Sequence, residues 1–542
     1  MQQFKNEFTY RHYLEDNREE EFDKSFEEAL NYVSNRWLGK EFPIIINGKE
    51  VFSNEKIEEY SPIDHRFIGK FQKGNREIAD NAIEEALNAF QRWKEVDYRE
   101  RAAIFQNAAK IFSKRKFEIA AAMSIENGKT RYESIGEVDE AIDFLNYYSL
   151  ELLRNKGYIQ KRVLEGSAKE ASKGFQGAPS SKEKIRIVMK PYGVFGVIAP
   201  FNFPISISTG MSTGAMITGN TVVFKPSSTD NLSMLTGYLI YDILKEAGLP
   251  DGVFNYVTGP GSEVGDELVI SNKVSGIVFT GSRETGINMI KKSYSLGLQK
   301  VFVVEMGGKN PTIVSKYANI DDAVDGVLSA AFGYAGQKCS ACSRVYVHKS
   351  IKDQFIEKLA EKTKALKIGN PLIKDVYVGP IISDVAFEKY KKVINDIKND
   401  QNSKIIVGGN TVDTGLNGKY VEPTIVLSDH DKNPYFKKEL FLPILLIDVF
   451  DNFDEAIKKA NDVEYGLTAG LYSKNRKEIK KFLDNIEAGV VYVNRRISAT
   501  TGAIVGAHSF VGWKGSGITG KGTGNKYYLL QFMREQSQAV VG

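Results

Sequence analysis

Apolar positions recur every three to four residues from Asn75 to about Tyr148. Ile78, Ala82, Ala86 and Phe90 form one stripe, and Ala102, Phe105, Ala109 and Phe112 form another. This spacing predicts amphipathic helices whose apolar stripes face a core. Residues 1 to about 40 read as polar helix with aromatic spots at Phe22, Phe26, Tyr32 and Trp37, a surface extension packed on the body of the protein. Pro43 to Val51 follows, with Asn47 and Gly48 between apolar flanks. That pair is a strong signal for a tight hairpin turn, because both positions accept positive φ. Residues 155–182 turn rich in Gly, Ser, Lys and Ala and predict a loop or exposed excursion. Lys184 to Lys190 then alternates as a strand.

From Gly193 the rhythm becomes strand, turn, helix. Apolar runs at 194–199, 221–225, 253–257 and 274–279 alternate with helical patterns at 205–217 and 232–247. Runs of continuous apolar character between helices predict a parallel sheet covered on both faces, an α/β fold. A second α/β unit begins near Val301 and continues through strands at 345–348, 404–407, 443–448 and 489–494. A short strand-like piece, Gln536 to Val541, ends the chain.

Ligands of such sheets lie at the carboxyl ends of the strands. The turns there are Pro200-Phe-Asn-Phe-Pro204, Lys225-Pro-Ser, Gly259 to Gly265 and Thr280 to Gly286. None matches G-x-G-x-x-G, yet the repeated strand–turn–helix context favours nucleotide binding over plain packing.

Composition narrows the function. The chain has 542 residues, 42 % hydrophobic and 26 % charged, which suits several soluble structural units. With 72 basic and 68 acidic residues interspersed, no basic nucleic-acid footprint stands out. Two cysteines exclude a disulfide scaffold. The first residues are acid-rich and lack an apolar stretch, so neither a secretory nor a mitochondrial leader is expected, and the cytoplasm is the expected location. No apolar run reaches the roughly 20 residues of a membrane span.

Both cysteines, Cys339 and Cys342, sit in Phe332-Gly-Tyr-Ala-Gly-Gln-Lys-Cys-Ser-Ala-Cys-Ser-Arg344, between a helix-like and a strand-like run. Half a zinc site, a redox pair and inert core cysteines are each open on this stretch alone. So is a reactive thiolate, its pKa lowered by Lys338 and Arg344. No second cysteine pair exists to complete a metal site, and none is expected.

Taken together the motifs at 200–204, 225–227 and 279–282, with Glu305-Met-Gly-Gly-Lys309 and Gly336-Gln-Lys-Cys339, resemble the aldehyde dehydrogenase superfamily from about Pro43 to the end. The resemblance implies Cys339 as nucleophile, Asn202 with the Cys339 backbone N–H as oxyanion hole, and Glu305 as general base. It implies NAD or NADP as cofactor. Lys225 would hold the adenosine ribose, Gly281 and Ser282 would form the pyrophosphate turn, and Glu439 and Phe441 would hold the nicotinamide ribose and ring. Ser228 stands where many NAD-specific members carry glutamate, so tolerance of NADP is expected. Leu442 replaces the family's usual glycine.

Gly336 to Arg344, with Thr501 to Gly506 and Phe510, resembles the 1-pyrroline-5-carboxylate dehydrogenase branch, which oxidises glutamate γ-semialdehyde to glutamate in proline catabolism. That likeness implies Lys338, Ser340, Gly502 and Ala503 on the substrate carboxylate and Phe510 and Phe203 about its chain. Glu140 is a weaker candidate, and Ser509-Phe-Val-Gly512 departs from the usual Pro-Phe-Gly-Gly. Another small semialdehyde, a sugar-acid aldehyde and a non-catalytic member of the fold are the alternatives. The family also implies three parts: a Rossmann-like cofactor domain (1–157 and 191–304), a catalytic domain (305–520) and oligomerisation strands (158–190 and 521–542) that pair with a second copy. A dimer, or a multiple of it, follows.

Overall fold

The computed structural model describes residues 4–166, 172–173, 182–228, 232–496 and 504–541. The helical pattern resolves into four helices, Arg76–Trp93, Tyr98–Lys114, Lys116–Asn127 and Arg131–Arg154. Asn75 caps the first, its side chain accepting from the Ile78 N–H at 3.0 Å. The stripe residues Ala82, Ala86, Ala102, Phe105, Ala109 and Phe112 are all buried.

The predicted hairpin forms at Asn47 and Gly48. Both have positive φ (51° and 72°), and Ile46 pairs with Lys49 across the turn. It extends the first large sheet, whose spatial order is Val301–Glu305, Val274–Thr280, Val194–Ile198, Thr221–Lys225, Phe254–Tyr256, Ile44–Ile46 and Lys49–Val51. The first five strands are parallel and the hairpin runs antiparallel. A parallel sheet needs crossover helices, and Ser206–Ile217, Met234–Glu246 and Arg283–Ser295 lie between its strands in sequence.

The second sheet orders Ser403–Val407, Thr424–Ser428, Ile444–Phe450, Cys342–His348, Asn310–Val314, Thr468–Tyr472 and Val490–Val493. All its pairings are parallel except the antiparallel edge strand Ser403–Val407. The strand Asn310–Val314 and the helix Asp384–Lys398 went unread in the sequence.

Residues 155–182 are not wholly irregular, because Ile159–Leu164 pairs antiparallel with Glu183–Pro191. Met533–Val541 joins the other side, making a three-stranded sheet with exposed Val163, Leu164, Val540 and Val541. The amino-terminal extension is helical at Thr9–Glu15 and Glu19–Arg36, and packs through Phe22, Phe26 and Val33. No helix among the described residues is long and apolar enough to cross a membrane.

Candidate active site

The two large sheets come together at Glu305. It ends the last strand of the first sheet, and its backbone bridges Gly517. Residues 306–309 then lead directly into Asn310–Val314 of the second sheet. The two glycines of this link are dictated by crowding. Gly307 has φ of +66°, and a Cβ there would sit 2.6 Å from a Glu439 carboxylate oxygen. A Cβ on Gly308 would collide with the Cys339 carbonyl oxygen.

Cys339 sits on a loop fixed from several sides. Asn310 Nδ2 donates to the carbonyls of Cys339 (2.8 Å) and Ala341 (2.9 Å). Gln337 donates to Tyr334 O and Pro380 O and accepts from the Ile382 N–H. Three successive residues before it, Tyr334, Ala335 and Gly336, have positive φ. Asn202 is buried and its Nδ2 donates to Gln337 O at 3.1 Å. An amide nitrogen has a second hydrogen, which is left for a ligand.

One cavity of about 720 Å³ joins these groups. Its lining runs from Lys225 and Ser227, past Gly281 and Ser282, to Asn202, Glu305, Cys339, Glu439, Phe441 and Phe510. Lys225 Nζ donates to Pro226 O and Ser228 Oγ, both at 3.2 Å, and burial pulls its pKa down to about 8. Ser228 Oγ donates to Gly259 O at 2.6 Å. Ser282 caps the helix Arg283–Ser295, accepting from the Thr285 N–H. Glu439 accepts from the Gly308 N–H at 2.8 Å. Phe441 has φ of +59° and its ring meets Phe201 edge-on.

The electrostatics correct one expectation. Burial pushes the Cys339 thiol up to about 12, and Glu439 and Glu305 add to it. The two cations expected to lower it are engaged elsewhere. Lys338 Nζ donates to Glu133 at 2.7 Å. Arg344 is buried and donates to the carbonyls of Lys309, Lys459 and Ala460 and to the Tyr346 hydroxyl. Burial also lifts Glu305 to about 8, against one hydrogen bond from Gly512 N–H; among the described residues its Oε2 has no hydrogen-bond partner. Cys342 is buried and hydrogen-bonded to Thr312 Oγ1.

Of the residues expected on the substrate, Phe510 lines the cavity, while Lys338, Ser340 and Phe203 do not. Ser340 is buried beside the nucleophile, and the Lys129 ammonium lies 3.7 Å from the Phe203 ring centre. Gly502 and Ala503 lie outside the described residues. Glu140 is half-buried on the helix Arg131–Arg154, and loss of solvation lifts its pKa to about 7.

The sequence reading missed the supports of this site. Asn310 and Gln337 carry the nucleophile loop. Lys129 pairs with Glu137, both fully buried, and Glu137 accepts the Ile205 and Ser206 N–H groups at the start of a helix. The available signal was the spacing of Lys129, Glu133 and Glu137, four residues apart, which a helix would bring to one face.

Comparison with known proteins agrees with this arrangement. The aldehyde dehydrogenase family profile matches residues 51–538. The 1-pyrroline-5-carboxylate dehydrogenase 1 of Halalkalibacterium halodurans is 37 % identical over 513 residues, 94 % of each chain. The 1-pyrroline-5-carboxylate dehydrogenase of Bacillus licheniformis is 36 % identical over 517 residues, 94 % of this chain and 95 % of the relative. Among solved structures, 1-pyrroline-5-carboxylate dehydrogenase from Thermus with bound NAD superposes with a TM-score of 0.89 at 32 % identity, over all of both chains. Proline utilization A from Bdellovibrio bacteriovorus gives 0.88 at 33 % identity. There the match takes in 99 % of this chain but only 53 % of that longer one. A cysteine, a half-buried acid and a buried amide around one cavity, on this fold and with these relatives, leave a single assignment: the chain belongs to the aldehyde dehydrogenase family.

Proposed function

We propose that this enzyme oxidises glutamate γ-semialdehyde, the open form of 1-pyrroline-5-carboxylate, to glutamate in proline catabolism, with NAD and tolerating NADP. The observation that carries the reading is the one cavity lined at one end by Lys225 and at the other by Cys339, Glu305 and Asn202. Relatives named for this substrate over 94 % of the chain support the choice of aldehyde. The residues fit a dinucleotide: the cavity is large enough, Lys225 stands at one end, and the Glu439 carboxylate is fixed at the other. When bound, the nicotinamide supplies the hydride acceptor.

Cys339 Sγ adds to the aldehyde carbon, and its proton passes to the Glu305 carboxylate, directly or through a water. A thiol held near 12 needs such a base, and an acid lifted to about 8 is matched to the task near neutral pH. The free Asn202 N–H and the Cys339 backbone N–H hold the negative oxygen. Loss of hydride leaves a thioester on Cys339. Glu305 releases the thiol's proton to solvent, then takes a proton from a water whose oxygen attacks the thioester carbon. Collapse of that adduct frees the acid and expels the Cys339 thiolate, which recovers a proton from Glu305. Lys225 holds the adenosine ribose, Gly281 and Ser282 lie against the pyrophosphate, and Glu439 and Phe441 hold the nicotinamide ribose and ring. Lys338 is taken up by Glu133 and Ser340 is buried off the cavity lining, so recognition of the substrate carboxylate is assigned to the backbone N–H groups of Gly502 and Ala503.

The same reading assigns a cofactor part, a catalytic part and a three-stranded flap that pairs with a second copy. The exposed apolar residues on the flap's outer strands support this. Cytoplasmic location belongs to the same proposal, in keeping with two unpaired cysteines. A substrate panel tests the function. The highest kcat/KM is expected for 1-pyrroline-5-carboxylate, ahead of succinic semialdehyde and propanal. A better turnover of any other aldehyde on that panel overturns the substrate assignment.

A further inference from the structure

The family match begins at residue 51, yet residues well before it reach the substrate side of the site. Asn6 Nδ2 donates to Asp143 Oδ2 at 2.7 Å and to Val505 O at 2.9 Å. Asp143 also accepts the Glu7 N–H at 2.8 Å, and Asp139 accepts both the N–H and the hydroxyl of Thr9. Lys116 binds Glu7 and Thr9 from the other side. A short run of chain is thus tied down by three side chains of the helical body, and one amide hands the tie on to Val505.

Val505 lies two residues after Ala503 in sequence, and is itself buried. Gly506 has φ of +81°, and a Cβ there would meet the Phe4 ring at 2.7 Å, so Phe4 is seated directly on this turn. Phe4 in turn packs edge-on against Tyr147, with ring centres 5.1 Å apart. From here a short ladder runs into the cavity: Gly506 N–H donates to Gly524 O, and Phe510 and Thr523 exchange backbone hydrogen bonds. Phe510 lines the cavity.

We propose that residues 4–9 form a strap that positions residues 504–510, with Asn6 as its principal positioning residue, and so sets the preference for aldehydes bearing a carboxylate. The inference rests on the substrate reading above. Aldehyde chemistry at Cys339 does not depend on the strap, whereas the fit of the far end of the substrate does. Asn6 touches neither substrate nor cofactor in this account and acts only through the backbone at Val505.

The experiment compares wild type, Asn6→Ala and Phe4→Ala with 1-pyrroline-5-carboxylate and with propanal, which has no carboxylate. Thermal unfolding midpoints check the fold of each. Loss of the bridging amide is expected to raise KM for 1-pyrroline-5-carboxylate about tenfold, with kcat little changed. Propanal kcat/KM and the KM for NAD should stay within about twofold. Asn6→Asp, which sets a carboxylate against Asp143 and the Val505 carbonyl, should do more harm than Asn6→Ala, and Asn6→Gln should restore part of the loss. A parallel fall for both aldehydes, or no change for either, overturns the strap's role. A wild type that oxidises propanal but not 1-pyrroline-5-carboxylate refutes the substrate reading instead, and the strap's role in selectivity falls with it.

Discussion

Replacing Glu305 with glutamine removes the base and leaves the packing. The Gly512 N–H still finds an oxygen, because glutamine keeps an acceptor where Oε1 now accepts at 3.3 Å. Two consequences follow from the burial that lifts this acid to about 8. The first is kinetic. At pH 7 only about a tenth of Glu305 is carboxylate, so wild-type turnover should rise nearly tenfold per pH unit below 7 and level off above 8. Glu305→Gln should lose on the order of a thousandfold in steady-state turnover and lose the break near 8. The second is thermodynamic. A carboxyl whose folded value is raised binds its proton more tightly when folded. Its contribution is full below the unfolded value near 4.5 and is lost as pH rises through about 8. The cost of ionising it in place is about 5 kcal/mol. Glu305→Gln should therefore match wild type in stability near pH 5 and exceed it at pH 9. Initial rates of NADH formation and urea unfolding, each from pH 5 to 9, read both effects. A variant that keeps the break near 8, or gains no relative stability at high pH, would refute the assignment of that titration to Glu305.

Other consequences are simpler. Asn202→Ala should lower kcat by about a hundredfold to a thousandfold with an unchanged KM for NAD, measured by steady-state kinetics, if its amide holds the oxyanion. Gly308→Ala should cost about a hundredfold in kcat, because a Cβ there collides with the Cys339 carbonyl and shifts the nucleophile. Lys129→Met should cost about 3 kcal/mol in denaturant unfolding, because it strands the buried Glu137 carboxylate. With Ser228 in place of a carboxylate at the ribose, kcat/KM for NAD should exceed that for NADP by less than about a thousandfold.

The parts of the fold legible in the sequence were those set by local chemistry. Asn47 and Gly48 mark their turn because few other residues tolerate two successive positive φ values. The strands Thr221–Lys225 and Val274–Thr280 showed as apolar runs because both their faces are covered. Ile159–Leu164 was legible only through the family resemblance and not in its own pattern, since an exposed strand held by a neighbouring strand carries no burial pattern of its own. Cys339, Glu305 and Asn202 could be named from motifs, and the structure brings all three to one cavity. The state of the thiol could not be read. Lys338 is adjacent in sequence but spends its charge on Glu133, a residue 205 positions away. Asn6 was equally hidden, because its bond to Val505 spans 499 residues. Sequence spacing reports neighbours along the chain, and electrostatics depends on neighbours in space.

NADH formation with 1-pyrroline-5-carboxylate, compared between wild type and Cys339→Ala, goes to the centre of the account. The wild type should turn over robustly and the variant should fall by more than about ten-thousandfold, since nothing else in the cavity offers a thiol. A variant that still forms NADH from this substrate, or a wild type that does so only from other aldehydes, would contradict it.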